Sequence, residues 1–246
     1  MDALIYTTMS GAERALRAQQ VHANNLANLE TGGFRADLEL ATGQQVPGYG
    51  YDARHLSQLQ ANAVAAREGA VRETGRDLDV AISGRGYFTV ESPGEDGQAG
   101  EAYTRAGHLD ISAEGALSVN GRAVLGDGGP IVLPAYQRVA IANDGTVLVQ
   151  APGQQDLQPV DRLKLVKPEA AAVTKNFAGL IVARSGDVLP ADETVTVRGG
   201  FLEGSNVSAV EEMVAVMGIS RDFEIQMKLY RATDSMADAG NRLIRE

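Results

Sequence analysis

Val216-Met217-Gly218-Ile219-Ser220-Arg221-Asp222-Phe223-Glu224-Ile225-Gln226-Met227-Lys228-Leu229-Tyr230 lies inside a proline-free run from about Ser205 to Glu246. Val216, Phe223, Tyr230, Ala237 and Ile244 recur at every seventh residue. Met213 and Met227 fill neighbouring positions, and Leu229, Met236 and Leu243 form a flanking row. Apolar residues on that period make one stripe along a long helix. Ser205 or Asn206 is the expected N-cap, and Glu211 and Glu212 sit where the helix dipole favours acids. A helix of about 38 residues would be roughly 57 Å long. That exceeds the usual globular helix and points to a coiled-coil or assembly element.

The other end of the chain carries a matching signal. Ile5, Met9, Ala12, Leu16, Gln19, Ala23 and Leu26 alternate in steps of four and three, a heptad-type stripe with Gln19 as its polar member. Gly32-Gly33 is the expected stop of this helix. The middle, roughly 79–200, changes period. Leu78-Asp79-Val80-Ala81-Ile82 alternates as a half-buried strand does, and Tyr87-Phe88-Thr89-Val90 is β-prone. Asn120-Gly121 after Leu117-Ser118-Val119 signals a hairpin. So does Asn143-Asp144-Gly145 between Val139-Ala140-Ile141 and Thr146-Val147-Leu148-Val149. Leu163-Lys164-Leu165-Val166 and Thr194-Val195-Thr196-Val197 add strands. Residues 35–78, with the turn-rich Pro47-Gly48-Tyr49-Gly50-Tyr51 and a polar, Ala-rich 58–73, read as an extended connector.

The expected fold class is therefore α+β, an all-β central domain inserted between two long helices that pair as a coiled-coil-like layer. Its parts would be 1–34 (first helix), 35–78 (connector), 79–200 (β-rich outer domain) and 201–246 (last helix). The simplest way to cover both stripes is to pack them on each other. A two-helix hairpin buries little, however, so such stripes call for further helices from neighbours.

Composition excludes several functions. The 246 residues are 44% hydrophobic and 22% charged, with aromatics at 5%, no Trp, and 28 glycines suited to a turn-rich β region. A net charge of −10 without a basic patch repels nucleic acid. The absence of cysteine removes disulfides, thiol nucleophiles and thiolate metal ligands. Met1-Asp2-Ala3-Leu4-Ile5-Tyr6 lacks the basic and apolar regions of a cleavable signal, and no run approaches a membrane span. His22, His55 and His108 lie far apart, without metal-ligand spacing. Ser83-Gly84-Arg85-Gly86 lacks the third glycine and following helix of a dinucleotide loop. Asp127-Gly128-Gly129 and Asn143-Asp144-Gly145 lack the ligand series of a calcium loop. No catalytic residue, cofactor or metal site is expected.

The remaining signals are polar residues near the ends of the helical stripes. Asn24, Asn25 and Asn28 carry donors and acceptors beside the apolar Leu26. They read either as caps on orphan carbonyls or as a lock fixing register between subunits. Gly33-Phe34-Arg35 would turn the chain and plant Phe34 as an anchor or a core residue. Arg221 and Glu224, three apart around Phe223, either pair on their own helix or bridge subunits. Met213, Met217, Met227 and Met236 are adaptable fillers.

Ala23-Asn24-Asn25-Leu26-Ala27-Asn28-Leu29-Glu30-Thr31-Gly32-Gly33-Phe34-Arg35 resembles the signature of the bacterial flagellar rod and hook protein family, although Glu30 departs from the small or polar residue usual there. Leu78 to Phe88 resembles the start of that family's β domain, and Tyr103-Thr104-Arg105-Ala106-Gly107 a further shared segment. Gly200-Phe201-Leu202-Glu203-Gly204-Ser205-Asn206-Val207 resembles its C-terminal hallmark, followed by Glu212-Met213 and Arg221-Asp222-Phe223-Glu224. Arg162 to Lys167 and Glu224 to Lys228 are similar to the proximal-rod branch; the distal-rod branch is the alternative, and Gly204 argues against it.

The resemblance implies a structural subunit, not an enzyme, exported by the flagellar type III apparatus without signal cleavage. It implies stacking with other rod proteins across the periplasm, helices inside and β domain outside, with a rod cap or muramidase acting during growth. The assembly residues it implies are Asn24, Asn25, Leu26, Asn28, Thr31, Gly33, Phe34, Leu202, Glu203, Ser205, Asn206, Val207, Met213, Arg221, Phe223 and Glu224. An enzyme with a β catalytic domain would instead need a deep pocket of perturbed titratable groups. A binding module on a coiled-coil stalk would need a defined homo-oligomer.

Overall fold

The computed structural model describes residues 2–45, 55–93 and 99–245. The Pro47–Tyr51 segment and the side chains of Leu243 and Ile244 lie outside the described residues. Helix α1 spans Asp2–Ala27 and helix α2 spans Ala209–Arg245. The two pack together, with a multi-sheet β region between them in the chain. The chain divides into two compact units, one of 1–27, 37–62 and 208–246, the other of 28–36 and 63–207. No described helix is long and apolar enough to cross a membrane.

In the first unit α1 and α2 run antiparallel. His22 meets Glu212, while Gly11, further back along α1, faces Gln226, further along α2. The contact face of α1 is not the predicted stripe. Thr8, Ala18 and Asn25 are buried, and Gly11, Ala15 and His22 are half-buried. In the stripe itself Met9, Leu16, Gln19, Ala23 and Leu26 are exposed, and only Ile5 and Ala12 are half-buried. The buried seam is displaced by one residue, about 100° around the helix. Small side chains explain the choice, because Gly11, Ala15 and Ala18 let the two backbones approach where Met9 and Leu16 would hold them apart. The hydroxyls that the seam takes in bond within their own helices, Thr8 to the Ile5 carbonyl at 2.9 Å and Thr233 to the Leu229 carbonyl at 2.8 Å.

On α2, Val216, Phe223 and Ala237 are half-buried as their spacing predicts, and Thr233 is buried, but Tyr230 is exposed. Val210, Met213, Val214, Met217, Ile225, Leu229 and Met236 are exposed as well. Strands β1 (Asp37–Gln45) and β2 (His55–Val64) form a two-stranded sheet. The 35–78 stretch thus carries paired strands, including Val71–Glu73 against Phe201–Glu203.

The second unit is built of short antiparallel strands. Its largest sheet orders Leu165–Val166, Tyr87–Pro93, Ala99–Thr104, Ile181–Ala183 and Val173–Lys175. Strand Val80–Ser83 pairs with Thr196–Gly199. Two three-stranded sheets are hairpin ladders. Asn120 (φ 50°) and Gly121 (φ 77°) turn Leu117–Val119 into Arg122–Ala123, the double positive-φ turn that Asn-Gly favours. Asn143-Asp144-Gly145 joins Arg138–Ile141 to Thr146–Gln150. Strand Val80–Ser83 is not half-buried as its alternation suggests, since Val80, Ala81 and Ile82 are all buried. One aliphatic core runs through Val80, Ile82, Phe88, Val90, Leu109, Leu117, Val147, Leu163 and Val197.

The seam predicts a contrast between adjacent faces of α1. Ala18→Leu overfills a buried position and should cost about 1–3 kcal/mol, whereas Leu16→Ala on the exposed face should stay within about 0.5 kcal/mol. Hydrogen exchange of α1 amides in the free chain measures both, and equal protection losses would refute the seam.

Candidate functional site

In the first unit Asn25 is 1% exposed. Its Oδ1 accepts the Asp37 N–H at 2.8 Å, while Nδ2 donates to the Asp37 carbonyl at 3.1 Å and to Glu212 Oε1 at 3.3 Å. The carboxamide therefore imitates a strand partner for the first residue of β1 and also reaches the first turn of α2. Asn24 Nδ2 donates to the Asp37 carboxylate at 3.0 Å, and Glu212 also takes the His22 ring. The two asparagines tie three elements of one unit.

In the second unit the two signature segments meet. The Gly33 N–H donates to the Glu203 carbonyl at 2.8 Å and the Asn206 N–H to the Phe34 carbonyl at 3.2 Å. Asn206 Oδ1 accepts the Ala36 N–H at 2.7 Å, and its Nδ2 donates to the Arg67 carbonyl at 2.7 Å. Beneath this lies a buried ion cluster. Glu203 Oε1 sits 2.8 Å from Arg35 Nη2 and accepts the Gly69 N–H at 2.9 Å. Glu203 Oε2 lies 2.8 Å from Arg105 Nε in an ion pair that is not oriented as a hydrogen bond. Arg105 Nη1 donates to the Gly86 carbonyl at 2.9 Å, and Arg35 Nη1 to the Arg67 carbonyl. Side-chain exposure is 1% for Glu203, 1% for Arg105 and 4% for Arg35. Burial pushes the Arg35 guanidinium below its ordinary range; Glu203 opposes this and Arg105 adds to it. Burial raises the neighbouring Tyr87 phenol, against the pull of Arg35 and Arg105.

Gly33 is required here for two reasons. Its φ is +70°, and a Cβ would lie 2.2 Å from the Arg105 carbonyl carbon. It does not stop the helix, because α1 has already ended at Ala27. Beyond that end, Thr31 Oγ1 donates to Asn28 Oδ1 at 3.1 Å. Phe34 lies under the Lys175 ammonium, which is 3.8 Å from the ring centroid.

The other expected residues are placed separately. Leu202 and Val207 are half-buried, and Ser205 Oγ accepts the Val207 N–H at 3.3 Å. Neither Ser205 nor Asn206 is the N-cap of α2. Ser208 precedes Ala209, its carbonyl accepts the Glu212 N–H at 3.0 Å, and its Oγ faces the Glu211 N–H at 3.5 Å. The cap lies later because the Asn206 carboxamide is committed to residues 36 and 67. Leu26, Met213, Arg221 and Glu224 are exposed and Phe223 is half-buried, and Arg221 and Glu224 form no ion pair among the described residues. Sequence reasoning missed Asp37, Arg67 and the pairing of Arg35 and Arg105 with Glu203. The usable signal was a lone charge inside a small or apolar run, as in Phe34-Arg35-Ala36, Thr104-Arg105-Ala106 and Leu202-Glu203-Gly204.

Glu203→Gln leaves two guanidinium groups buried without their carboxylate and should cost about 3–5 kcal/mol. Urea unfolding of the full chain measures this, and a loss under about 1 kcal/mol for Glu203→Gln would contradict the cluster's role.

Three family models match in chain order. They are "Flagella basal body rod protein" over residues 5–35, "Flagellar hook protein FlgE/F/G D1 domain" over 81–149 and "Flagellar basal body rod FlgEFG protein C-terminal" over 198–243. The chain is 38% identical to the flagellar basal-body rod protein FlgF of Salmonella typhimurium over 99% of both chains. It is 30% identical to FlgF of Caulobacter vibrioides over 96% of both. The rod protein FlgG of Bacillus subtilis is 27% identical over 94% of this chain and 95% of its own. The chain belongs to the FlgF family of flagellar basal-body rod proteins.

Proposed function

We propose that this rod subunit joins its neighbours through the apolar faces that α1 and α2 leave outside their own seam. The carrying observation is the exposure of large aliphatic side chains in rows. Met9 is 59% exposed on α1, and Met217 and Met236 are 60% and 62% exposed on α2. Leu16, Leu26, Met213 and Leu229 continue those rows. Large apolar side chains exposed in rows mark a surface suited to contact. Methionine suits a subunit that meets non-identical neighbours above and below, because its unbranched stem adapts to differing shapes.

The neighbours in this reading are other proximal and distal rod proteins, stacked head to tail so that the contact does not close on itself. The N-terminal segment addresses the chain to the flagellar type III export apparatus, and the rod it enters spans the periplasm. A rod cap or muramidase accompanies growth. Asn24, Asn25 and Glu203 serve assembly indirectly, by setting the shape of the unit each belongs to.

Leu16→Glu and Met217→Glu test the proposal, since both positions face solvent in the free chain. Each should leave urea unfolding within about 0.5 kcal/mol of the parent while abolishing swimming and rod completion in cells. Normal motility with either variant would overturn the proposal.

A further inference from the structure

The chain carries six methionines and no cysteine or tryptophan. All six methionines lie in 1–27 and 208–246, residues of the first unit, and the β-rich second unit contains no sulfur. Met9, Met213, Met217 and Met236 are exposed, and Met227 is half-buried. The Met1 side chain lies outside the described residues. Met213 and Met217 stand four residues apart on α2 and so share one side of it. With no thiol to compete, an exposed thioether is the group of this chain that a peroxide oxidises most readily. Accessible sulfur is therefore concentrated on the outer faces of the two long helices.

We propose that Met9, Met213, Met217 and Met236 are modification sites for hydrogen peroxide, and that their sulfoxides keep an otherwise folded subunit out of the rod. The thioether sulfur attacks one peroxide oxygen. The S–O bond forms as the O–O bond breaks, and the departing hydroxide takes the proton of the transferred oxygen and leaves as water. Sulfur is oxidised by two electrons and the peroxide is reduced by two. The product is a polar group, chiral at sulfur, where an apolar stem stood. In the free chain the new oxygen meets water, because these side chains already face solvent. In an apolar contact between subunits its dipole would be buried without a partner. The core of the second unit, with Val80, Phe88 and Leu117, has no sulfur to oxidise. The modification therefore changes contact faces and spares the fold. Methionine sulfoxide reductases, one for each epimer at sulfur, return the thioether. Exclusion from the rod rests on the helix-face reading above; which methionines react, and in what order, does not.

Purified full-length chain is treated with dilute hydrogen peroxide and followed by peptide mass spectrometry. Met9, Met213, Met217 and Met236 should each gain one oxygen several-fold faster than Met227, with the urea midpoint of the chain unchanged once the four have reacted. Equal rates at all five, or a lowered midpoint, would overturn the assignment. Two fourfold variants then test the consequence in cells. Met9→Gln, Met213→Gln, Met217→Gln and Met236→Gln together place a polar group of similar length at each site and should abolish swimming. Met9→Leu, Met213→Leu, Met217→Leu and Met236→Leu together keep the faces apolar and should swim normally. Loss of swimming in both sets would overturn the proposal, because polarity would not be the cause. Normal swimming of the Gln set would overturn it as well. If Leu16→Glu still stops swimming in that case, the helix-face reading stands without the sulfoxide effect; if Leu16→Glu also swims, the helix-face reading has itself failed.

Discussion

A helix pair that closes on its small side chains must leave its large ones outside. Gly11, Ala15 and Ala18 let α1 approach α2 closely, with the Gln226 side chain lying where a Cβ on Gly11 would reach it. The cost of that close approach is that Met9, Leu16 and Leu26 turn to solvent. They are 59%, 48% and 36% exposed, so covering each fully would gain roughly 0.5–2 kcal/mol, the still-exposed share of a full burial, and several together outweigh a single surface ion pair. Geometry inside the unit thus creates the demand that, in the proposed assembly, neighbouring subunits meet.

The second unit solves a different problem. Its strands are short, and the segment following α1 and the segment preceding α2 lie in it side by side. Hydrogen bonds from Gly33 and Asn206 hold them there, and Arg35, Glu203 and Arg105 sit beneath. A buried ion cluster adds little net stability compared with a well-packed apolar core, but it tolerates only one arrangement of its members. For a subunit of a basal-body rod, a single arrangement matters more than a few kcal/mol. The same logic applies to Asn25, whose carboxamide satisfies both polar groups of Asp37 and excludes other registers of β1.

The architecture was legible where one local rule dominates. The two long helices follow from seven-residue spacing without proline, and the Asn120-Gly121 and Asn143–Gly145 turns follow from positive-φ chemistry. The face of α1 that packs was not legible, because periodicity locates a stripe but does not say whether small or large residues will meet the partner helix. The displacement by one residue, from Met9 and Leu16 to Thr8 and Ala15, is a tertiary decision. The cap of α2 moved from Asn206 to Ser208 for a similar reason. Asn206 has a better use 170 residues away along the chain, at Ala36, and single-residue propensities contain no information about such distant partners. Glu203 and Phe34 belonged to recognisable segments, yet their meeting with Arg105 and Lys175 depends on strand pairing that the sequence leaves implicit.

The central claim is that the outer face of α1 is open in the free subunit and covered in the rod. A single thiol at Leu16→Cys, in a chain with no other cysteine, reads this directly through its rate of maleimide labelling. The account predicts rapid labelling of the free chain and strong protection in isolated basal bodies. Equal rates in the two states would contradict it.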